Sequence, residues 1–141
     1  MFNFPEDFLS EQTPLDGPAF YDKPDVFDIY TKHRQHRTDT PNDALEKPVI
    51  DELTGSLTGL RILDLGCGDG SYGIEALEQG CISYTGVDGS KNMAAAAKAQ
   101  LANTAALVEE STIESWSYPA VTFDLVVARL SLHYINDLQT V

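Results

Sequence analysis

The chain has 141 residues, 43 % of them hydrophobic, which is enough to bury the core of one domain and does not indicate disorder. Its formal net charge is −13, because 22 acidic residues outweigh 9 basic ones. This balance argues against a nucleic-acid or anionic-membrane partner, since both require a basic surface, and no apolar run approaches the roughly 20 residues of a membrane-spanning helix.

The N-terminal part predicts helices rather than a sheet. Residues 1–20 have no clear period and predict an extended arm. Apolar residues recur at helical spacing over 24–37, which predicts a helix. A second, short helix is predicted over 43–53, with a break or a fresh start at Pro48 because proline lacks the amide donor. We therefore assign residues 1–58 to an N-terminal arm with cap helices.

From residue 59 onward, strands alternate with helices. The predicted elements are strands at 61–65, 81–87, 105–110 and 123–128, helices at 71–79 and 90–102, and the start of a helix at 136–141. This alternation implies right-handed crossovers, and therefore an α/β fold with a parallel sheet and helices on its faces. In such a sheet a ligand binds at the carboxyl ends of the strands.

The most informative stretch is ILDLGCGDG at residues 62–70. A strand delivers Asp64, and three alternating glycines then turn the chain into a helix. Glycine permits a positive φ and lets a ligand lie directly against the backbone. Acids beside the turn, Asp64 and Asp69, favour a ligand with an amine or a positive charge over a pyrophosphate.

A second acid, Asp88, ends the next strand, at the distance along the chain expected for a residue that binds ribose hydroxyls. A carboxylate accepts from two vicinal hydroxyls at once, so it selects a nucleoside. Met93 follows one helical turn later and is suited to pack against a flat base. The alternatives are structural: Asp64 as a cap on the glycine turn, and Asp88 as an ordinary acid at a helix entry.

Three motifs, ILDLGCGDG, GVDGS and FDLVVARLSLHYI, resemble in order and spacing the class I S-adenosylmethionine-dependent methyltransferases of the small-molecule type. The resemblance implies a Rossmann-like doubly wound parallel sheet, with strand order 3-2-1-4 for the part present. It implies S-adenosylmethionine as the cofactor and a small-molecule methyl acceptor. The sheets of this family usually have seven strands, so residues 59–141 are expected to form the cofactor-binding domain with its C-terminal half missing.

The resemblance also implies roles for individual residues. Asp64 would hold the cofactor's amino group, directly or through water, and Asp88 would bind the ribose hydroxyls. The glycines would lie along the methionine part and the ribose. The residues placed at the cofactor are Tyr30, Arg34, Asp64, Gly66, Cys67, Gly68, Gly70, Asp88, Gly89, Ser90, Met93, Thr112, Ile113, Glu114 and Arg129.

Two of these positions leave alternatives open. Many relatives have an acid where Thr112 stands, so the adenine amino group would be contacted by Glu114 or by a backbone carbonyl. Tyr30 and Arg34 lie one helical turn apart and would face the cofactor carboxylate together, although Arg34 is equally well read as a solvated charge. Cys67 fills the loop and is not expected to be a nucleophile.

Methyl transfer requires mainly that nucleophile, methyl and sulfur lie in line, because the sulfonium is already an activated electrophile. A base is needed only if the nucleophile must lose a proton. His133 and Tyr134, just past the last predicted strand, are the candidate proton-handling residues, with packing or a substrate wall as the alternative. The two cysteines form no zinc-binding pattern, so we expect no metal, reduced thiols and a cytoplasmic protein.

Two other functions compete with a methyltransferase. Gly68, Gly70 and Gly73 satisfy GxGxxG, which leaves a nicotinamide-dependent reductase open, although Asp64 and the long lead-in count against it. A truncated, non-catalytic S-adenosylmethionine-binding module is the third hypothesis. Its strand at 123–128 would be an open apolar edge, through which the chain would self-associate. We expect a fragment of a longer gene product rather than a natural truncation.

Overall fold

A computed structural model describes residues 17–36, 41–120 and 123–140. The helices are α1 (Gly17–Tyr21), α2 (Pro24–His36), α3 (Pro41–Thr54), α4 (Ser71–Glu78) and α5 (Lys91–Gln100). The strands are β1 (Arg61–Leu65), β2 (Ser83–Asp88), β3 (Ala106–Glu110) and β4 (Leu125–Val127). Short 3₁₀ turns follow at Leu132–Tyr134 and Leu138–Thr140.

The four strands form one parallel sheet in the order β3-β2-β1-β4, as the sequence predicted. Leu65 pairs with Val87 and Asp88 pairs with Glu110, so β1, β2 and β3 end at the same edge. Because the strands are parallel, the turns that follow β1 and β2 both lie at this edge, next to each other. It is therefore the edge at which the motif residues converge.

Apolar side chains lie on both faces of the sheet, because successive side chains of a strand point to opposite faces. On one face, Ile62 and Tyr84 pack against α4 and α5 in a core that includes Ala76 and Ala97. On the other face, Leu63, Leu65, Val87 and Ile113 form a smaller cluster beneath Trp116 and Phe123. Asp64, which shares the face of Ile62, is thereby carried into the helix-covered core.

Three sequence predictions are wrong in detail. Residues 17–21 form a short helix instead of continuing an extended arm, because Pro18 suits a first helical turn and packs beside Gly89. Helix α3 runs through Pro48 without a break. The carbonyl that loses its amide partner belongs to Ala44, which is exposed and open to solvation.

The third difference concerns residues 136–141, where a helix was predicted to start and a single 3₁₀ turn is found at Leu138–Thr140. The predicted boundary between residues 58 and 59 stays a prediction. Residues 1–16 of the predicted arm lie outside the described part. Within the described ranges, no helix is both long and apolar enough to cross a membrane.

Candidate functional site

The turn after β1 is locked to β2 by its backbone. The amides of Gly66 and Cys67 both donate to the carbonyl of Val87, at 2.7 and 3.1 Å. Gly66 has a φ of 79°, and a Cβ placed on it would lie 2.4 Å from the Cβ of Ser131. Ser131 is itself held, because its hydroxyl donates to the Leu65 carbonyl at 2.6 Å. Glycine at position 66 therefore allows the turn after β1 and the segment after β4 to pack closely together.

Asp88 bridges the loops that follow β1 and β2. One carboxylate oxygen accepts from the amide of Gly68 at 2.8 Å, and the other accepts from the amide of Ser90 at 2.9 Å. Burial raises the pKa of Asp88, although these two amides act in the opposite direction. A carboxylate has about four acceptor positions, so two remain for a ligand's hydroxyls.

Asp64 lies beneath the glycine turn, with only 1 % of its surface exposed. The Tyr84 hydroxyl donates to its carboxylate at 2.6 Å. Burial raises the pKa of Asp64 to about 6, although the bond from Tyr84 and the charge of Arg129 lower it. The carboxylate is thus held in one orientation at the end of β1.

The sequence did not identify Tyr84, although it contained a signal for it. Gly86 stands opposite Asp64 in the parallel register, two residues after Tyr84 on the same strand face. A Cβ on Gly86 would lie 3.2 Å from the Tyr84 ring, and a Cβ on Gly73 would lie 2.6 Å from it. Two glycines therefore make the slot through which Tyr84 reaches the acid.

The N-terminal arm crosses the same edge of the sheet and is fastened to the start of α5. The Asp22 carboxylate accepts from the Ser90 hydroxyl at 2.7 Å and from the amides of Asn92 and Lys91 at 3.0 and 3.3 Å. A carboxylate at a helix N-terminus is stabilised by the free amides and by the helix dipole. Burial opposes the ionisation of Asp22, yet these donors leave its pKa lowered.

We expect Asp22→Ala to release the arm, because the amides at the start of α5 lose their acceptor. Trypsin should then cut after Lys32, an exposed residue of α2, several times faster than in the unaltered chain. Asp28→Ala is the matched control, since Asp28 is an exposed acid on α2. Equal cleavage of all three proteins would show that Asp22 does not hold the arm.

Aromatic rings of the arm lie over the site. Tyr21 makes edge-on contacts with Tyr30 and Tyr134, with ring centroids 5.8 and 6.5 Å apart. Burial and, to a smaller extent, a hydrogen bond with Tyr134 raise the pKa of Tyr21 to about 12. A Cβ on Gly68 would lie 3.6 Å from the Tyr30 hydroxyl, so the predicted residue Tyr30 does face the glycine turn.

The other predicted residues divide between the edge and the core. Thr112 borders the edge, since its methyl lies 3.3 Å from a Cβ placed on Gly89. Met93 and Ile113 are buried at 2 and 8 % exposure, and Glu114 is exposed. Burial raises the pKa of the Cys67 thiol, which disfavours the thiolate, in agreement with its expected filler role.

The candidate proton-handling residues lie together after β4. The rings of His133 and Tyr134 are 4.0 Å apart, with His133 exposed. Tyr134 packs against α1, because a Cβ on Gly17 would lie 2.7 Å from its ring. Arg34 lies on α2, but its side chain is outside the described part. Among the described residues, no group of three or more His, Cys, Asp or Glu side chains could hold a metal.

A family model described as a methyltransferase domain matches residues 62–141, which is more than half of the chain. This chain belongs to that methyltransferase family. The cofactor of the family is S-adenosylmethionine, as the sequence resemblance implied. The α/β fold, the Rossmann-like sheet and its strand order are confirmed.

Two curated relatives and two solved structures illustrate the similarity. An uncharacterised protein of Haemophilus influenzae is 30 % identical over 128 residues, which are 86 % of this chain and 50 % of that protein. An uncharacterised methyltransferase of Schizosaccharomyces pombe is 35 % identical over 91 residues, which are 64 % of this chain and 34 % of that protein. The chain thus spans half or less of the length of these relatives.

Among solved structures, an S-adenosylmethionine-dependent methyltransferase from Mesorhizobium loti superposes with a TM-score of 0.60 at 36 % identity, over 64 % of this chain and 41 % of that one. The magnesium protoporphyrin IX methyltransferase of Synechocystis PCC 6803, with bound S-adenosylhomocysteine, has a TM-score of 0.64 at 21 % identity. The match covers 84 % of this chain and 59 % of that one. At this level of identity it shows only that the two proteins share a fold.

Proposed function

We propose that this chain binds S-adenosylmethionine at the carboxyl edge of its sheet and belongs to an enzyme that methylates a small molecule. The observation that carries the proposal is the Asp88 bridge. One carboxylate ties together the turns after β1 and β2 through Gly68 and Ser90, and retains acceptor capacity for a ribose. Membership of the methyltransferase family supports the choice of cofactor.

The residues present fit this cofactor at both of its ends. Asp88 and the loop of Gly89 and Ser90 are suited to the nucleoside, and the buried Asp64 is suited to the ammonium group of the methionine part. When bound, S-adenosylmethionine supplies a methyl group already activated on a sulfonium. The chain's own contribution is then to bind, to orient and to exclude water, and Tyr21 and Tyr30 cover the edge for that purpose.

Several finer assignments stay predictions. His133 is exposed beside the edge and would accept a proton only if the acceptor must lose one. The cytoplasmic location and self-association through β4 stay predictions as well. A nicotinamide-dependent reductase is not supported, since the same glycines lie within the stretch that matches the methyltransferase family.

The first experiment is a calorimetric titration of the chain with S-adenosylmethionine and S-adenosylhomocysteine, with NADH as the negative control. Saturable binding of the first two is expected. Asp88→Ala should weaken both by about 10- to 100-fold, because it removes the acceptor for the ribose and for two backbone amides. Glu110→Ala is the matched control, since it removes an exposed carboxylate from the neighbouring strand end.

A folded chain that binds neither nucleoside would overturn the proposal. So would an Asp88→Ala variant that binds as tightly as the unaltered chain. Circular dichroism of each protein separates lost binding from lost folding.

A further inference from the structure

Arg129, two residues after the end of β4, folds back over α4. Its guanidinium carbon lies 4.6 Å above the centre of the Tyr72 ring. Tyr72 belongs to the first turn of α4, directly after the glycine turn, and only 4 % of its surface is exposed. The two side chains therefore meet under the loop that we assign to the cofactor.

Each of these side chains has a buried donor without a partner. The Nε of Arg129 and the hydroxyl of Tyr72 make no hydrogen bond within the described ranges. Buried donors are nearly always satisfied in folded proteins, so two orphans side by side require an explanation. Packing of a cation on a ring explains their contact but leaves both donors unused.

The carboxylate of Asp64 interacts electrostatically with both side chains. The charge of Arg129 lowers the pKa of Asp64 against the larger effect of burial, and the charge of Asp64 contributes, after burial, to the raised pKa of Tyr72. The group thus combines one acid with two spare donors, one of them a cation. A free α-amino acid end, with its ammonium and carboxylate, has the opposite arrangement.

Building on the proposed function, we propose that Arg129 and Tyr72 bind the carboxylate of the cofactor's methionine part, next to Asp64, which binds its ammonium group. A planar guanidinium is well suited to a carboxylate. In this assignment the cofactor carboxylate binds on the side of the site formed by β4 and α4. The sequence had predicted that Tyr30 and Arg34 bind it.

The test compares S-adenosylmethionine with decarboxylated S-adenosylmethionine, which keeps the amine and the sulfonium. Both are titrated calorimetrically into the chain and its variants. Arg129→Ala should weaken S-adenosylmethionine about 10- to 100-fold and change the decarboxylated probe less than about threefold. Tyr72→Phe, which keeps the ring, should give the same pattern with a loss of about three- to tenfold.

Lys32→Ala, which removes an exposed cation from α2, is the matched control and should leave the ratio of the two affinities unchanged. Arg34→Ala tests the competing assignment. Equal weakening of both probes by Arg129→Ala and Tyr72→Phe would show a purely structural role and overturn the inference. So would unchanged affinity for S-adenosylmethionine, or a ratio that shifts only in Arg34→Ala.

Failure of the inference is distinguishable from failure of the proposed function. If the unaltered chain binds S-adenosylmethionine and the variants keep the same ratio, only the carboxylate assignment is wrong. If the folded, unaltered chain binds neither probe, both proposals are wrong. Should Arg129→Ala not fold, Tyr72→Phe decides the question, because it removes a single hydroxyl.

Discussion

Gly66→Ala is expected to destabilise the folded chain by about 4 kcal/mol. The φ of 79° costs a residue with a Cβ about 1–2 kcal/mol, and the new Cβ would lie 2.4 Å from the Cβ of Ser131. Ser131 cannot turn away cheaply, because its hydroxyl is bound to the Leu65 carbonyl. Overpacking of this kind costs typically about 1–3 kcal/mol more.

Gly59→Ala is the matched control. Gly59 has a φ of 80°, but nothing lies within 4 Å of a Cβ placed on it. It should therefore show the backbone cost alone, about 1–2 kcal/mol. Urea unfolding followed by circular dichroism measures both variants. Equal losses would mean that the contact with Ser131 relaxes freely, and the steric argument would be wrong.

Asp64→Asn is expected to stabilise the chain at pH 8 by up to about 3 kcal/mol. Burial raises the pKa of Asp64 from its ordinary 3.8 to about 6. The carboxyl therefore contributes stability that is complete below about pH 4 and is lost as the pH rises through 6. A shift of about two pKa units corresponds to about 3 kcal/mol. Asparagine is neutral and still accepts the Tyr84 hydroxyl.

Urea unfolding at pH 4 and pH 8 measures this effect, and the two proteins should differ little at pH 4. Asp124→Asn provides a control of opposite sign. The Arg61 side chain and amide lower the pKa of Asp124 to about 2, so its contribution is present above about pH 4 and lost as the pH falls through 2. Asp124→Asn should thus destabilise the chain at pH 8. Destabilisation by Asp64→Asn at pH 8 would contradict the argument.

If Asp64 also binds the cofactor's ammonium, Asp64→Asn should gain stability and lose affinity together. This is the usual relation at a functional site, where a buried charge is retained at the expense of folding. Titration with S-adenosylmethionine at pH 8 tests the second half of the statement. Unchanged affinity would leave Asp64 with a structural role at the glycine turn.

How far the sequence predicts the site depends on the distance between partners along the chain. Asp88 and the glycine turn were recognised because strand, turn and helix follow one another within a few residues. Asp22 and Ser90 are 68 residues apart, so no local pattern pairs them. Tyr84 and Asp64 are 20 apart, and the two glycines that make room for Tyr84 lie on different elements, so their meaning becomes clear only in the folded chain. The unpaired donors of Tyr72 and Arg129 also appear only when β4 lies beside β1.

The sequence by itself determined the alternation of strands and helices from residue 59 onward, the parallel sheet and the residues at its carboxyl edge. Periodicity and turn chemistry act over short distances and survive in any context that buries the apolar faces. Tertiary structure decided the rest: the short helix at Gly17–Tyr21, the unbroken passage of α3 through Pro48, and the fastening of the arm by Asp22. The short helix and the fastening of the arm depend on contacts between distant segments, whose free energy outweighs the weak local preferences of the arm. Helix α3 passes Pro48 because the Ala44 carbonyl that loses its amide partner is exposed to solvent.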